Sequence, residues 1–167
     1  MTIPTRLIEL ADQVLEAARL TGATVATAES CTGGLVTVAL TEIPGSSDVV
    51  DRGFVTYSNA AKTDLLGVDI KLIDDFGAVS KEVALAMADG ALSRSDATLA
   101  VSVTGIAGPS GDSSDKPVGL VWFGLAMKGR ATKADKQVFD GRDRCGVREA
   151  AAEHALTLLC DALSADS

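Results

Sequence analysis

The amino-acid sequence predicts a three-layer α/β/α sandwich with a mixed, mostly parallel five-stranded sheet. Strand-like and helix-like segments alternate along most of the chain, which is typical of layered α/β folds. The link at residues 128–130 is far too short for a crossover helix, so the fourth and fifth strands should form an antiparallel hairpin. The third and fourth strands are apolar enough to lie at the centre of a buried sheet.

The first helix is predicted from apolar residues that recur at helical spacing between residues 3 and 20, and Gly22 follows as a stop signal. These apolar positions are Leu7, Leu10, Ala11, Val14, Leu15 and Ala18. The strands are predicted at residues 23–28, 52–57, 97–103, 118–127 and 132–139. The other helices are predicted at residues 34–42, 59–66, 80–94 and 143–163. Ser80 and Glu82 indicate the start of the third of these.

Length and composition predict one domain over residues 1–167. The chain is 47% hydrophobic and has no linker, repeat or Pro-rich stretch, so it can bury a core of ordinary size. Its longest apolar runs are too short and too often interrupted by glycine to span a bilayer. The N-terminus lacks the features of a signal peptide, and we therefore expect a cytoplasmic protein without a membrane partner.

Charge and cysteine content exclude several classes of ligand. A formal net charge of −8, with no local cluster of basic and aromatic residues, argues against nucleic acid as a partner. The widely spaced Cys31, Cys145 and Cys160 indicate neither a disulfide framework nor a zinc site, so no metal is expected. A small phosphate-bearing ligand is compatible with the charge, because a few amides and one or two basic side chains can hold it. Apolar positions on several helices leave room for a homodimer.

Residues 28–34 (AESCTGG), between the first strand and the second helix, form the most informative segment. A strand that enters a helix through small residues directs backbone N–H groups and the positive end of the helix dipole toward one spot. Ser30 lies at that spot and is the candidate nucleophile. Alternatively, Ser30 or Thr32 simply caps the helix, which is the commoner role of such residues. Cys31 ranks below Ser30, because a free cysteine is usually a small buried hydrophobe.

Two further loops follow the second and third predicted strands and should meet the first loop at the carboxyl edge of the sheet. The second loop carries Tyr57 at a strand end and Lys62 about one helical turn later. The third, residues 102–111, is glycine-rich, and its amides suit a phosphate or a carboxamide. Taken alone, these features would be an edge aromatic, a solvated lysine and a tight surface turn. Together the three loops outline a pocket.

The residues of this pocket limit the chemistry. A serine hydroxyl needs a base, and a lysine can serve if burial or positive neighbours lower its pKa. His154, the only histidine, falls in the last helix among alanines and Leu158, where a histidine is usually structural. A Ser-His-acid triad is therefore disfavoured. A Ser-Lys or Ser-Tyr-Lys scheme remains, with either Lys62 or Tyr57 as the proton acceptor.

Five motifs, in order along the chain, resemble those of the CinA carboxy-terminal domain family. They are residues 28–34 (AESCTGG), 53–59 (GFVTYSN), 77–80 (GAVS), 104–109 (TGIAGP) and 116–119 (KPVG). The resemblance covers almost the whole chain and is to the stand-alone form, without the amino-terminal domain that many members carry. Such proteins are nicotinamide-nucleotide amidases.

The resemblance implies hydrolysis of the carboxamide of nicotinamide mononucleotide to nicotinate mononucleotide and ammonia, in pyridine-nucleotide (NAD) salvage, without metal or cofactor. It implies that Ser30 attacks the amide carbon and that Lys62 is the general base, with Tyr57 assisting. Amides near residues 32–34 or 104–105 would then steady the oxyanion. The substrate-binding residues that it implies are Thr32, Gly33, Gly34, Ser47, Asn59, Thr104, Gly105 and Arg144.

Two departures from the family pattern affect the predicted site. Asp112 stands where similar proteins usually have a second glycine after Gly111, which adds negative charge to the glycine-rich loop. The segment at residues 139–148 is one residue longer than the familiar Phe-x-Gly-Asp-Arg-x-x-Val-Arg pattern. Arg144 is the match for the phosphate-binding arginine, and Arg142 and Arg148 are the alternatives.

Two other functions compete with the amidase. In the first, the chain is a non-catalytic pyridine-nucleotide-binding or regulatory module in which Lys62 only pairs with phosphate. In the second, suggested by the family's competence-related name, the protein takes part in DNA uptake or repair. The acidic charge and the lack of basic surface runs oppose the second reading.

Overall fold

A computed structural model describes residues 2–165 as one α/β unit. The strands are β1 (Val25–Glu29), β2 (Val50–Val55), β3 (Leu99–Gly105), β4 (Leu120–Met127) and β5 (Lys133–Val138). The helices are α1 (Thr5–Thr21), α2 (Leu35–Glu42), α3 (Asn59–Leu66), α4 (Ile70–Phe76), α5 (Lys81–Ser93) and α6 (Arg144–Ser164), with a 3-10 turn at Ser46–Asp48. Met1, Asp166 and Ser167 belong to the predicted domain but lie outside the described residues.

The five strands of the described chain form one mixed sheet in the order β2-β1-β3-β4-β5. The strands β2, β1 and β3 are parallel, and the predicted hairpin of β4 and β5 is confirmed. β4 is also antiparallel to β3, so it alone runs against the other strands. Glu29 pairs with Val55 on one side and Val103 on the other. The carboxyl ends of three parallel strands therefore meet at one edge, as the sequence predicted.

Helices cover both faces of the sheet, which confirms the three-layer sandwich. The larger core lies under α1, α2 and α6, and all six apolar positions predicted for the first helix are buried in it. The second core lies under α3, α4 and α5, around Leu66, Ile73 and Met87. Strands β1 and β3 contribute to both cores because alternate side chains point to opposite faces.

Helix α4 is absent from the sequence-based prediction. It has seven residues, and Ile73 is its one buried side chain, so it has too little apolar periodicity to be recognised. Asp69 caps it, because its Oδ1 accepts a hydrogen bond from Lys71 N at 2.9 Å. The predicted start of α5 is confirmed, since Ser80 Oγ accepts a hydrogen bond from Val83 N. None of the helices between residues 2 and 165 is both long and apolar enough to cross a membrane.

Helices α3 and α5 approach each other closely at Gly90. A Cβ at this position would lie 2.1 Å from Leu66 O, the carbonyl of the last residue of α3. The same carbonyl accepts a hydrogen bond from Arg94 Nη1 at 2.8 Å. The close approach of α3 to α5 therefore depends on a residue without a side chain at position 90.

We predict that Gly90→Ala lowers the free energy of unfolding by roughly 2 kcal/mol, because the new methyl group forces the two helices apart. In an open helix the same change would stabilise by about 1 kcal/mol, so the sign of the effect is informative. Urea unfolding followed by circular dichroism measures it. Gly146→Ala is the matched control, since its Cβ would meet only side-chain atoms at 3.2 Å or more. A stability gain in Gly90→Ala would contradict the close contact between Gly90 and Leu66 O.

Candidate active site

A pocket of about 260 Å³ opens at the carboxyl ends of β1, β2 and β3. The three loops that the sequence singled out all line it, together with the segment before α5 and the start of α6. Its lining residues are Ser30, Cys31, Tyr57, Asn59, Lys62, Ala78, Val79, Thr104, Gly105, Ile106, Ala107, Gly108, Ser110, Gly111 and Arg144. A larger cavity, about 570 Å³, lies at the opposite edge of the sheet and contains none of the predicted site residues.

Ser30 and Lys62 are in direct contact in this pocket. Lys62 Nζ lies 3.0 Å from Ser30 Oγ and donates a hydrogen bond to Thr56 O at 2.8 Å. The lysine side chain is 1% exposed, and this burial lowers its pKa because water no longer solvates the ammonium form. At a given pH, the neutral amine form of Lys62 is therefore more populated than that of a surface lysine. In that form Nζ can accept the hydroxyl proton of Ser30.

Local hydrogen bonds explain why Lys62 reaches Ser30. Thr56 N donates to Glu29 O at 2.8 Å, which joins the chain after β2 to the end of β1. Ser58 then caps α3, with its Oγ accepting from Ala61 N at 3.0 Å. Lys62 lies one turn into this helix, and Lys62 N donates to Ser58 O. The long side chain therefore points back across the turn toward Thr56 and Ser30.

A buried carboxylate organises the elbow on the other side of Ser30. Glu29 is fully buried, and its oxygens accept hydrogen bonds from the backbone N–H groups of Gly34, Val36 and Thr37 and from the Thr37 hydroxyl, at 2.9–3.1 Å. These donors are the first amides of α2, the end of a helix that favours negative charge. The start of α2 therefore binds the protein's own carboxylate.

This arrangement changes the role expected for the two elbow glycines. Gly34 N donates to Glu29, and Gly33 N donates to Ser30 O at 3.0 Å, so both amides are already engaged. Both glycines have positive φ, 62° and 99°, which residues with a Cβ rarely adopt. Gly33 and Gly34 shape the turn and do not line the pocket. Thr32 is fully buried and also lies outside the pocket lining.

Tyr57 and Arg144 form a second polar pair at the mouth of the pocket. Arg144 Nη2 donates to Tyr57 Oη at 2.8 Å, and Arg144 Nη1 donates to Gly108 O at 2.7 Å. The arginine therefore joins the second and third loops. The tyrosine ring is 62% exposed, and its hydroxyl bonds to Arg144 and not to the Ser30–Lys62 pair.

The remaining predicted residues fall into two groups. Asn59, Thr104 and Gly105 line the pocket, and Thr104 Oγ1 donates to Ala78 O at 2.8 Å. Ser47 lies in the 3-10 turn before β2, at the amino edge of the sheet and away from the pocket. The structure thus does not bring Ser47 together with the other predicted binding residues.

The three arginines that the sequence left as alternatives are separated by the structure. Arg144 lines the pocket, whereas Arg142 lies beside His154 in a different surface depression. Arg148 lies behind the elbow, where it donates to Cys31 O and Thr32 O. Sequence reasoning gave no role to Glu29 and considered Arg148 only for phosphate, because their contacts are to backbone groups that no motif reveals.

Cys31 and His154 are poorly suited to catalysis. Burial raises the pKa of the Cys31 thiol to about 12, so the reactive thiolate is disfavoured. His154 Nε2 lies 2.6 Å from Asp135 Oδ2, and its ring packs against Phe123 away from the pocket. Within residues 2–165, no group of three or more His, Cys, Asp or Glu side chains is arranged to hold a metal ion.

The protein is thus an α/β sandwich with a buried serine–lysine pair at the carboxyl edge of its parallel strands. The chain belongs to the CinA C-terminal domain family, which matches residues 7–163. It is 52% identical over 151 residues to the nicotinamide-nucleotide amidohydrolase PncC of Enterobacter agglomerans, covering 90% of this chain and 92% of that protein. Identity to the protein of the same name from Escherichia coli K12 is 48% over 153 residues, 92% of each chain.

Longer relatives and solved structures agree with this membership. A putative competence-damage inducible protein of Symbiobacterium thermophilum is 53% identical over 146 residues, which cover 83% of this chain but 34% of that protein. The crystal structure of the competence/damage inducible protein CihA from Agrobacterium tumefaciens superposes with a TM-score of 0.94 at 48% identity. That match covers 98% of this chain and 99% of the crystallised one.

We predict that Lys62→Met changes stability in a pH-dependent way. The folded-state pKa of Lys62 is lowered, so the unfolded chain binds more protons between that pKa and the ordinary value of 10.5. The wild-type protein therefore gains stability from Lys62 as pH rises through this window, and the methionine variant does not. Relative to wild type, Lys62→Met should be more stable at about pH 7 than at about pH 10.

Chemical denaturation at several pH values measures this difference. Lys71→Met removes an exposed lysine and is the matched control for the change from lysine to methionine. A pH-independent difference for Lys62→Met would contradict the lowered pKa.

Proposed function

We propose that this chain is a nicotinamide-nucleotide amidohydrolase, which hydrolyses nicotinamide mononucleotide to nicotinate mononucleotide and ammonia. The observation that carries the proposal is the 3.0 Å contact between Ser30 Oγ and the buried Lys62 Nζ. A hydroxyl next to an amine of lowered pKa is suited to nucleophilic attack on a carboxamide. Two relatives about half identical over nine-tenths of the chain carry the name of this activity.

The reaction proceeds in two stages. Neutral Lys62 takes the proton of Ser30 Oγ as the oxygen attacks the carboxamide carbon, and the carbonyl oxygen becomes an oxyanion. Lys62 then returns the proton to the leaving nitrogen, the C–N bond breaks, and ammonia departs from a serine ester. Water, deprotonated by Lys62, attacks that ester and releases the carboxylate and Ser30. The product is a nicotinate nucleotide, which pyridine-nucleotide salvage can use.

The hydrogen bonds of the site support Lys62, not Tyr57, as the proton acceptor. Lys62 contacts Ser30 directly, whereas the Tyr57 hydroxyl accepts a hydrogen bond from Arg144 at the pocket mouth. Tyr57 assists by holding the arginine. Thr56 O fixes the amine so that its lone pair faces Ser30 when Lys62 is neutral.

Arg144 is the proposed partner of the substrate phosphate. It lines the pocket together with Asn59 and the glycine-rich third loop, and no carboxylate is among the lining residues that the structure describes. A guanidinium binds phosphate oxygens through paired N–H groups. A small anionic substrate thus fits this pocket, and the overall charge of −8 still opposes nucleic acid.

We predict that Ser30→Ala and Lys62→Arg both abolish turnover. The alanine removes the nucleophile, and the arginine keeps the charge but cannot act as a base at neutral pH. Ammonia release from nicotinamide mononucleotide by metal-free protein should fall at least about 10⁴-fold in either variant, with far-UV circular dichroism unchanged. Undiminished turnover in Ser30→Ala would refute the serine mechanism. Substrate binding without ammonia release by the wild-type protein would instead favour a sensor of pyridine nucleotides.

We predict that Arg144→Gln weakens the binding of phosphorylated substrate selectively. Loss of a charged hydrogen bond should raise KM for nicotinamide mononucleotide about 10- to 100-fold. Activity toward nicotinamide riboside, which lacks the phosphate, should change little. Arg142→Gln tests the alternative arginine and should have the smaller effect. Equal losses on both substrates in Arg144→Gln would show that Arg144 does not read the phosphate.

A further inference from the structure

We propose that Arg148 is a positioning residue for the reaction, and that it acts by fixing the elbow that carries Ser30. The inference rests on the proposed amidase function. Arg148 Nε donates to Cys31 O at 3.1 Å, and Arg148 Nη2 donates to Thr32 O at 3.0 Å. One planar guanidinium thus holds two successive carbonyls of the elbow directly after the nucleophile.

The planarity of the peptide bond turns this clamp into a constraint on the orientation of the two peptide units on either side of Thr32. The carbonyl of Cys31 and the N–H of Thr32 belong to one planar trans unit and point in opposite directions. Because Cys31 O points to Arg148, the Thr32 N–H points away from it. The same argument applies to the next unit, whose N–H is that of Gly33 and donates to Ser30 O.

Further hydrogen bonds connect this clamped segment to Ser30. Gly33 N donates to Ser30 O, and Ser30 N donates to Val103 O. Thr32 itself is fully buried and lies outside the pocket lining, so its amide is not placed to contact the substrate. Arg148 therefore acts on the reaction through the position of Ser30.

The contacts of Arg148 distinguish it from a substrate ligand. It does not line the Ser30 pocket and instead borders a groove on the far side of the elbow with Leu35 and Cys145. Removing it should therefore impair the chemical step more than substrate binding.

The test measures kcat and KM for nicotinamide mononucleotide in Arg148→Met. We expect kcat to fall about 100-fold, the cost of misplacing a nucleophile by about 1 Å. KM should stay within about threefold of wild type, because the pocket residues are unchanged. Added guanidinium should partly restore kcat in Arg148→Ala.

Arg19→Met is the matched control. Arg19 also lies on a helix and donates to backbone carbonyls of a turn, Pro44 O and Gly45 O, but at the opposite edge of the sheet. Its loss should leave kcat unchanged and lower only the free energy of unfolding, because the two exposed hydrogen bonds to Pro44 O and Gly45 O are lost. If Arg148→Met does not fold, Arg148→Lys decides the question, since an ammonium lacks the planar fork of donors that orients both carbonyls and kcat should still fall.

Several outcomes would overturn the inference. They are a folded Arg148 variant with wild-type kcat, a loss confined to KM, and failure of guanidinium to restore any activity in a folded Arg148→Ala. Wild-type ammonia release is measured first. An inactive wild type would overturn the proposed function itself, whereas an active wild type with unimpaired Arg148 variants would overturn the positioning role alone.

Discussion

Removal of the Lys62 amino group from water is the constraint on which the rest of the site depends. A buried ammonium is costly, so the protein lowers the pKa of this group and supplies two nearby oxygens, Ser30 Oγ and Thr56 O. Those oxygens belong to the ends of β1 and β2, and the lysine belongs to α3. The relative placement of three elements is thus fixed by one side chain. In the proposed mechanism, this cost in stability supplies the base.

Two groups brace the elbow that carries Ser30 from opposite sides. The Glu29 carboxylate binds the first amides of α2, and the Arg148 guanidinium binds the carbonyls of Cys31 and Thr32. Each satisfies buried backbone groups that would otherwise be unpaired in a tight turn. The elbow is therefore held by hydrogen bonds from within the protein. A rigid elbow is what a reaction needs when its rate depends on the direction of a few hydrogen-bond donors.

The position of the pocket follows from strand direction. Because β1, β2 and β3 are parallel, their carboxyl ends meet at one edge, and each is followed by a loop with a different chemistry. The first supplies the hydroxyl, the second the amine, and the third the glycine-rich wall. Helix α6 begins at the same edge and adds Arg144, which joins the second and third loops. Residues from four distant segments thus form one small site.

Apolar periodicity, short links and family motifs are local signals, so the layered fold, the hairpin of β4 and β5, and a shared pocket for Ser30, Lys62 and Arg144 could be predicted from the sequence. The sequence did not reveal α4, whose single buried residue gives no period, nor that Ser47 lies at the opposite edge of the sheet. Only the packed chain shows that Glu29 occupies the start of α2, that the Gly33 and Gly34 amides are engaged, and which arginine faces the pocket. These roles depend on hydrogen bonds to backbone groups and on burial, which arise only when distant segments pack together.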